Sequence, residues 1–235
     1  MNGGCDLGRK IIICSDGTGN TFDYHATNVT RTIQYLALDD HESQVAVYGQ
    51  GLGATSGRRC DIDEYRKTLP DQEALRILPV PHDSNFPPRA VIDRGRGLLF
   101  GYGLKEAVRE MYRELWSLYE GPDDRVFLFG FSRGSFAVRA LAGLLYRCGL
   151  PRLSCTDFDA RFECAWRLYT PIGEDEDKAA TKEFRGMQRP CSIHFLGIWD
   201  TVKSYGGLDP MPVTLRSATA LRPKHRHRSA ARDRR

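Results

Sequence analysis

No stretch of this 235-residue chain is apolar for the roughly 20 residues that a membrane-crossing helix requires. The longest apolar runs, such as Ile11-Ile12-Ile13-Cys14 and Val126-Phe127-Leu128-Phe129, are only strand-sized. The opening Met1-Asn2-Gly3-Gly4-Cys5-Asp6 lacks the basic and then apolar segments of a secretory leader, so the chain is expected to be cytoplasmic as synthesised, with any export through a secretion system. Paired cysteines are missing too. Seven stand singly, at 5, 14, 60, 148, 155, 164 and 191, with no C-x-x-C, a pattern that fits neither a disulfide scaffold nor a zinc site. There is no G-x-x-x-x-G-K-[ST] and no G-x-G-x-x-G between a strand and a helix, which removes two common nucleotide cradles. Nor is basic charge spread over the chain. Residues 211–235 hold seven Arg, one Lys and one Asp, a local +7 against +4 overall, so the preceding 210 residues carry −3. A near-neutral body with a basic tail does not present a nucleic-acid face. The tail itself, with few large apolar side chains, is expected to be disordered, its one foreseeable partner being an anionic membrane surface.

What is present alternates strand and helix. Ile11–Cys14 reads as a buried strand running into the turn-rich Ser15-Asp16-Gly17-Thr18-Gly19-Asn20. A helical period follows over Asn28–Leu38, then a strand at Gln44–Tyr48 ending in Gly49-Gln50-Gly51-Leu52-Gly53. Residues 54–97, with five prolines among many charges, read as an inserted loop or lid carrying short helical patches such as Asp71–Leu78. Leu104, Val108, Met111, Leu115 and Leu118 mark a helix over Leu98–Tyr119, and Arg125–Gly130, apolar on both faces, a central strand. A helix over Ser135–Tyr146, another over Asp157–Leu168, a partly helical polar connection and a last strand at Ile193–Trp199 complete the order. The expected fold is α/β, an α/β-hydrolase-like, doubly wound, mostly parallel sheet that is incomplete at its carboxyl end. Residues 1–210 would form the partial catalytic domain and 211–235 the tail.

Gly130-Phe131-Ser132-Arg133-Gly134 is a G-x-S-x-G placed between a buried strand and a helix, the setting of a nucleophile elbow. In such a turn Ser132 is the candidate nucleophile, and the Arg133 amide at the helix N-terminus a candidate oxyanion donor. Asp200, at the end of the next good strand in Trp199-Asp200-Thr201-Val202, is the candidate triad acid; a capping carboxylate is the competing reading. The amides of Gly17 and Thr18 are candidates to complete the oxyanion hole, whereas a phosphate cradle around Asp16 would instead indicate a nucleotide-dependent phosphotransferase. The base is harder to find. His25, His41, His82 and His194 precede Asp200; only His225 and His227 follow it, in an unpatterned basic segment, and His194 reads as a buried strand residue.

The segments Arg9–Asn20, Gly49–Gly53, Gly130–Gly134 and Trp199–Val202, in this order over about residues 9–209, resemble the uncharacterised α/β-hydrolase family that includes the catalytic domains of type VI secretion phospholipase effectors. The resemblance implies a serine esterase or lipase acting on phospholipid acyl esters, with Ser132 as nucleophile and Asp200 as acid, and with no metal or organic cofactor. Family members continue past this point into a His-bearing segment that supplies the base. Its absence here leads to the expectation of a truncated or frameshifted member with turnover near background and a sheet edge prone to association. An inactive fragment kept as a binding module is the alternative from outside catalysis.

Overall fold

The computed structural model describes residues 8–17, 19–20, 22, 27–51, 60–79, 96–169 and 177–201. Its centre is a five-stranded sheet in the order β3-β2-β1-β4-β5, parallel throughout. The strands are β1 (Lys10–Ser15), β2 (Gln44–Gly49), β3 (Leu75–Ile77), β4 (Arg125–Phe131) and β5 (Ile193–Trp199). The helices are α1 (Asn28–Gln34), α2 (Cys60–Thr68), α3 (Arg96–Leu118), α4 (Arg133–Cys148), α5 (Phe158–Tyr169) and α6 (Asp177–Gly186). No described helix is long and apolar enough to cross a membrane, and Cys14, Cys148, Cys155, Cys164 and Cys191 are free thiols.

The continuous apolar runs of β1 and β2 are explained by burial on both faces of the sheet. On one face Ile11, Ile13, Val45, Val47, Val126 and Leu128 pack against α3 and α4. On the other, Ile12, Cys14, Ala46 and Tyr48 meet Val29 and Ile33 of α1 and Ile62 of α2. The predicted helical stripe of α3 is buried as expected, and Tyr112 within it donates its hydroxyl to the Gly149 carbonyl at 2.7 Å. Helix α4 buries much of its surface, Ala137, Ala140 and Ala142 included. Gly149 ends it at φ 75°, where its N–H donates to the Leu145 carbonyl.

Two expectations are corrected. Asp71–Leu78 is not helical. The Asp71 carboxylate accepts from the Glu73 N–H and caps a single 3-10 turn over Gln72–Ala74, after which Leu75–Ile77 pairs with β2 as an edge strand. Three residues are too few to show alternation, so the open side of β2, rather than local pattern, makes them a strand. The rest of the 54–97 stretch outside 60–79 and Arg96 onward lies beyond the described residues. His194 is likewise not buried. It is exposed on β5, an outer strand of the described sheet, with its ring 5.2 Å from that of Phe127. Phe195 and Ile198 on the same strand are 51% and 38% exposed. The whole of residues 202–235, and with it the expected disordered tail, lies outside the described residues.

The edge strand is fastened by a charged staple. His41 donates its backbone N–H to Asp71 Oδ2 at 2.7 Å, its ring Nδ1 lies 2.7 Å from the same oxygen, and Nε2 faces Glu42 at 2.9 Å and Glu73 at 3.6 Å. The bond to Asp71, helped by the three carboxylates, raises the His41 pKa above its ordinary 6.5. The two bonds from His41 lower Asp71 below its ordinary 3.8. A raised histidine stabilises below its unfolded pKa and loses that contribution as pH rises through its folded value; a lowered aspartate stabilises above its unfolded pKa and loses it as pH falls. The pair therefore contributes most between these limits. The difference in thermal midpoint between the wild type and His41→Gln is expected to be greatest at about pH 5 and to shrink by about pH 8. A difference independent of pH would refute the staple.

Candidate functional site

The carboxyl edge of a parallel sheet gathers the loops that follow its strands, and here it gathers Ser132, Arg133, Asp200, Asp16 and Gly17. Ser132 follows β4 directly. Its backbone stands at φ 52° and ψ −116°, a sparsely populated region for a residue with a side chain. The flanking glycines show why the motif is built as it is. A Cβ on Gly130 would lie 2.6 Å from the Ser135 Cα, and one on Gly134 would lie 2.2 Å from the Ser15 carbonyl oxygen of β1. Only bare Cα atoms let α4 start this close to two strands. The Ser132 hydroxyl makes no capping bond to the helix it precedes, and Arg133 is the first residue of that 16-residue helix, whose N-terminal amides and dipole favour negative charge.

The register of β4 and β5 pairs Phe131 with Trp199, so Asp200 stands beside Ser132. Asp200 is exposed and sits at φ 46°. These are the two non-glycine residues with positive φ among the described residues, and they adjoin across one strand boundary. Strain gathered at one place in this way is a mark of functional sites. Two further bonds, which sequence reasoning missed, hold the pair together. Ser132 donates its N–H to the Trp199 carbonyl at 2.9 Å, and the buried Ser135 hydroxyl lies 2.8 Å from the same carbonyl and 2.7 Å from that of Gly130. A serine one turn into a helix carries no sequence signal for such a role.

The loop after β1 abuts the elbow. A Cβ on Gly17 would lie 3.1 Å from Ser132 Cβ, so the two residues are in contact distance. The Gly17 N–H, however, donates to Asp16 Oδ1 at 2.8 Å, and an oxyanion would have to compete with that carboxylate for it. Thr18 lies outside the described residues. Asp16, 2% exposed, turns inward. Its Oδ2 accepts from the Thr27 hydroxyl at 3.0 Å and the Tyr48 hydroxyl at 3.1 Å. Burial pushes its carboxyl above the ordinary range, against the pull of hydrogen bonds from Gly17, Thr27, Tyr48 and Asn20. Thr27 in turn accepts the Thr30 N–H as N-cap of α1. Asp16 thus ties the loop to a helix and a strand, and that inward arrangement does not present it to a nucleotide-bound metal. Gly51 closes the loop from the other side, where its own N–H donates to the Asn20 carbonyl at 3.1 Å and any Cβ would strike the Gly17 carbonyl.

Both described histidines stand at the opposite edge. His194 is the second residue of β5, five residues before Trp199 and about 16 Å from it at ~3.3 Å per residue. His41 precedes β2. Neither reaches Ser132. His25, His82, His225 and His227 lie outside the described residues.

Comparison with known proteins places this edge in context. The family model described as type VI secretion system (T6SS), phospholipase effector Tle1-like, catalytic domain matches residues 9–232. Among curated proteins, the chain is 29% identical over 231 residues to Uncharacterized protein YEL023C of Saccharomyces cerevisiae, covering 93% of this chain and 30% of that protein. The chain therefore spans about a third of the length of that relative. No solved structure matches.

Proposed function

The chain belongs to the Tle1-like phospholipase effector catalytic domain family, and from the elbow geometry we propose that it is a serine hydrolase of lipid-type carboxylic esters with Ser132 as its nucleophile. The observation that carries this reading is the strained turn at Ser132, a conformation sustained by two glycines that no larger residue could replace without moving a strand or a helix. In this mechanism Ser132 Oγ attacks the ester carbonyl carbon. The oxyanion is held by the Arg133 amide together with an amide of the Gly17–Thr18 loop. The tetrahedral intermediate collapses, the alcohol leaves with a proton, and the acyl group remains on Oγ. Water then attacks the acyl-enzyme, releasing the carboxylic acid and returning the Ser132 hydroxyl. Asp200 serves as the acid that orients the histidine base, a role supported by its place next to Ser132. The two histidines that follow Asp200 in the chain, His225 and His227, lie outside the described residues. The chemistry calls for no metal or cofactor.

The test is labelling with a fluorophosphonate probe followed by peptide mapping. Ser132 is expected to carry the adduct. A protein that gives no Ser132 adduct while remaining folded would exclude the hydrolase reading and favour a binding module.

A further inference from the structure

The two strained residues at the sheet edge are joined through a single carbonyl. The peptide unit before Ser132 supplies an N–H, the unit before Asp200 supplies a C=O, and the two bond to each other at 2.9 Å. Because φ is the rotation of a residue against the rigid peptide unit that precedes it, this bond couples φ 52° at Ser132 to φ 46° at Asp200. Turning either unit breaks it. Such backbone angles persist in residues with a side chain only where the surroundings hold them. Ser132 is flanked by close-packed glycines, whereas Asp200 is exposed at the end of β5, where bonds to the carbonyl before it must carry more of the support.

Ser135 brings a second donor to that carbonyl. It is fully buried in the first turn of α4, and its Oγ lies 2.8 Å from the Trp199 carbonyl on β5 and 2.7 Å from the Gly130 carbonyl on β4. The bare Cα of Gly130 brings the helix within this reach, since a Cβ there would lie 2.6 Å from the Ser135 Cα. With one proton and two acceptors the hydroxyl is shared between the strands, one position before Asp200 and two before Ser132. We propose that Ser135 is a positioning residue: by clamping the Trp199 carbonyl it fixes the peptide unit that sets the backbone of Asp200, and so holds the acid of the reaction beside its nucleophile. The part of Asp200 in the reaction rests on the reading under Proposed function; the clamp itself does not.

The experiment compares the full chain as wild type and as Ser135→Ala, a smaller side chain that leaves the Trp199 carbonyl its bond from Ser132. Amide hydrogen exchange, resolved by residue, is followed at Ser132, with Ile13 and Val47 of the central strands as references. The variant is expected to exchange Ser132 about tenfold faster relative to those references, the weight of one hydrogen bond. A Ser135 that served global stability alone would instead speed all three amides alike. The second measurement is the rate of fluorophosphonate labelling at Ser132 against pH. It is expected to fall about tenfold in the folded variant, with its midpoint moved to lower pH, because a carboxylate displaced from its base no longer raises the pKa of that base. Exchange at Ser132 unchanged against the references overturns the clamp. Faster exchange with labelling rate and pH midpoint unchanged overturns its service to the reaction. A wild type that takes no label, while exchange at Ser132 responds as expected, removes the hydrolase and leaves the clamp standing.

Discussion

Replacing Ser132 by alanine is expected to abolish whatever ester hydrolysis the chain performs, leaving only the level that oxyanion stabilisation and substrate binding sustain without a nucleophile. Its thermal midpoint should stay within a few degrees of the wild type, because the hydroxyl caps nothing and the side chain is only half-buried. A second substitution separates chemistry from strain. Ser132→Gly should be equally inactive yet more stable than Ser132→Ala by about 1–2 kcal/mol, since glycine occupies positive φ without the clash that a Cβ brings. The measurement is hydrolysis of a short-chain nitrophenyl ester beside thermal denaturation of the three proteins. Hydrolysis unchanged in Ser132→Ala would remove Ser132 from the reaction, and a glycine variant less stable than the alanine one would remove the strain.

Gly134→Ala should damage the elbow severely. The added Cβ would sit 2.2 Å from the Ser15 carbonyl oxygen, 2.5 Å from its carbon and 2.6 Å from the Asp16 oxygen, all of them backbone atoms of β1 and its loop. No rotamer change relieves such contacts, so α4 must move away from the centre of the sheet, where Ala137, Val138 and Leu141 are packed. The expected cost is about 3 kcal/mol or more, the upper end for overpacking, and loss of activity with it, because the same shift displaces the Arg133 amide. Gly121→Ala is the control, since a Cβ there meets nothing within 4 Å. Equal denaturation midpoints for the two variants would refute the close approach.

Much of this edge was legible in advance because its chemistry depends on local geometry. A buried strand, G-x-S-x-G and a small-residue helix in succession permit few arrangements, and the elbow at Ser132 is the one found. Asp200 was placed by the same logic, as the residue that ends a strand, and the register set it beside Ser132. The inward turn of Asp16 was not legible. Its partners Thr27 and Tyr48 are 11 and 32 residues away, and a loop rich in Asp, Gly and Thr has the same local pattern whether it faces a phosphate or the core.

By itself, then, the order of apolar runs, helical stripes and glycines in this chain determined the parallel α/β architecture, the position of the elbow and the edge at which chemistry is to be sought. Those features follow from interactions between near neighbours, where period and steric demand are written residue by residue. Tertiary structure decided that Leu75–Ile77 is a strand, that His194 is exposed and far from Ser132, and that the Ser135 hydroxyl reaches the Trp199 carbonyl. Each of these depends on which segments, tens of residues apart, come to lie side by side, and pairing between distant segments is settled by the packing of the whole sheet rather than by any one stretch of sequence.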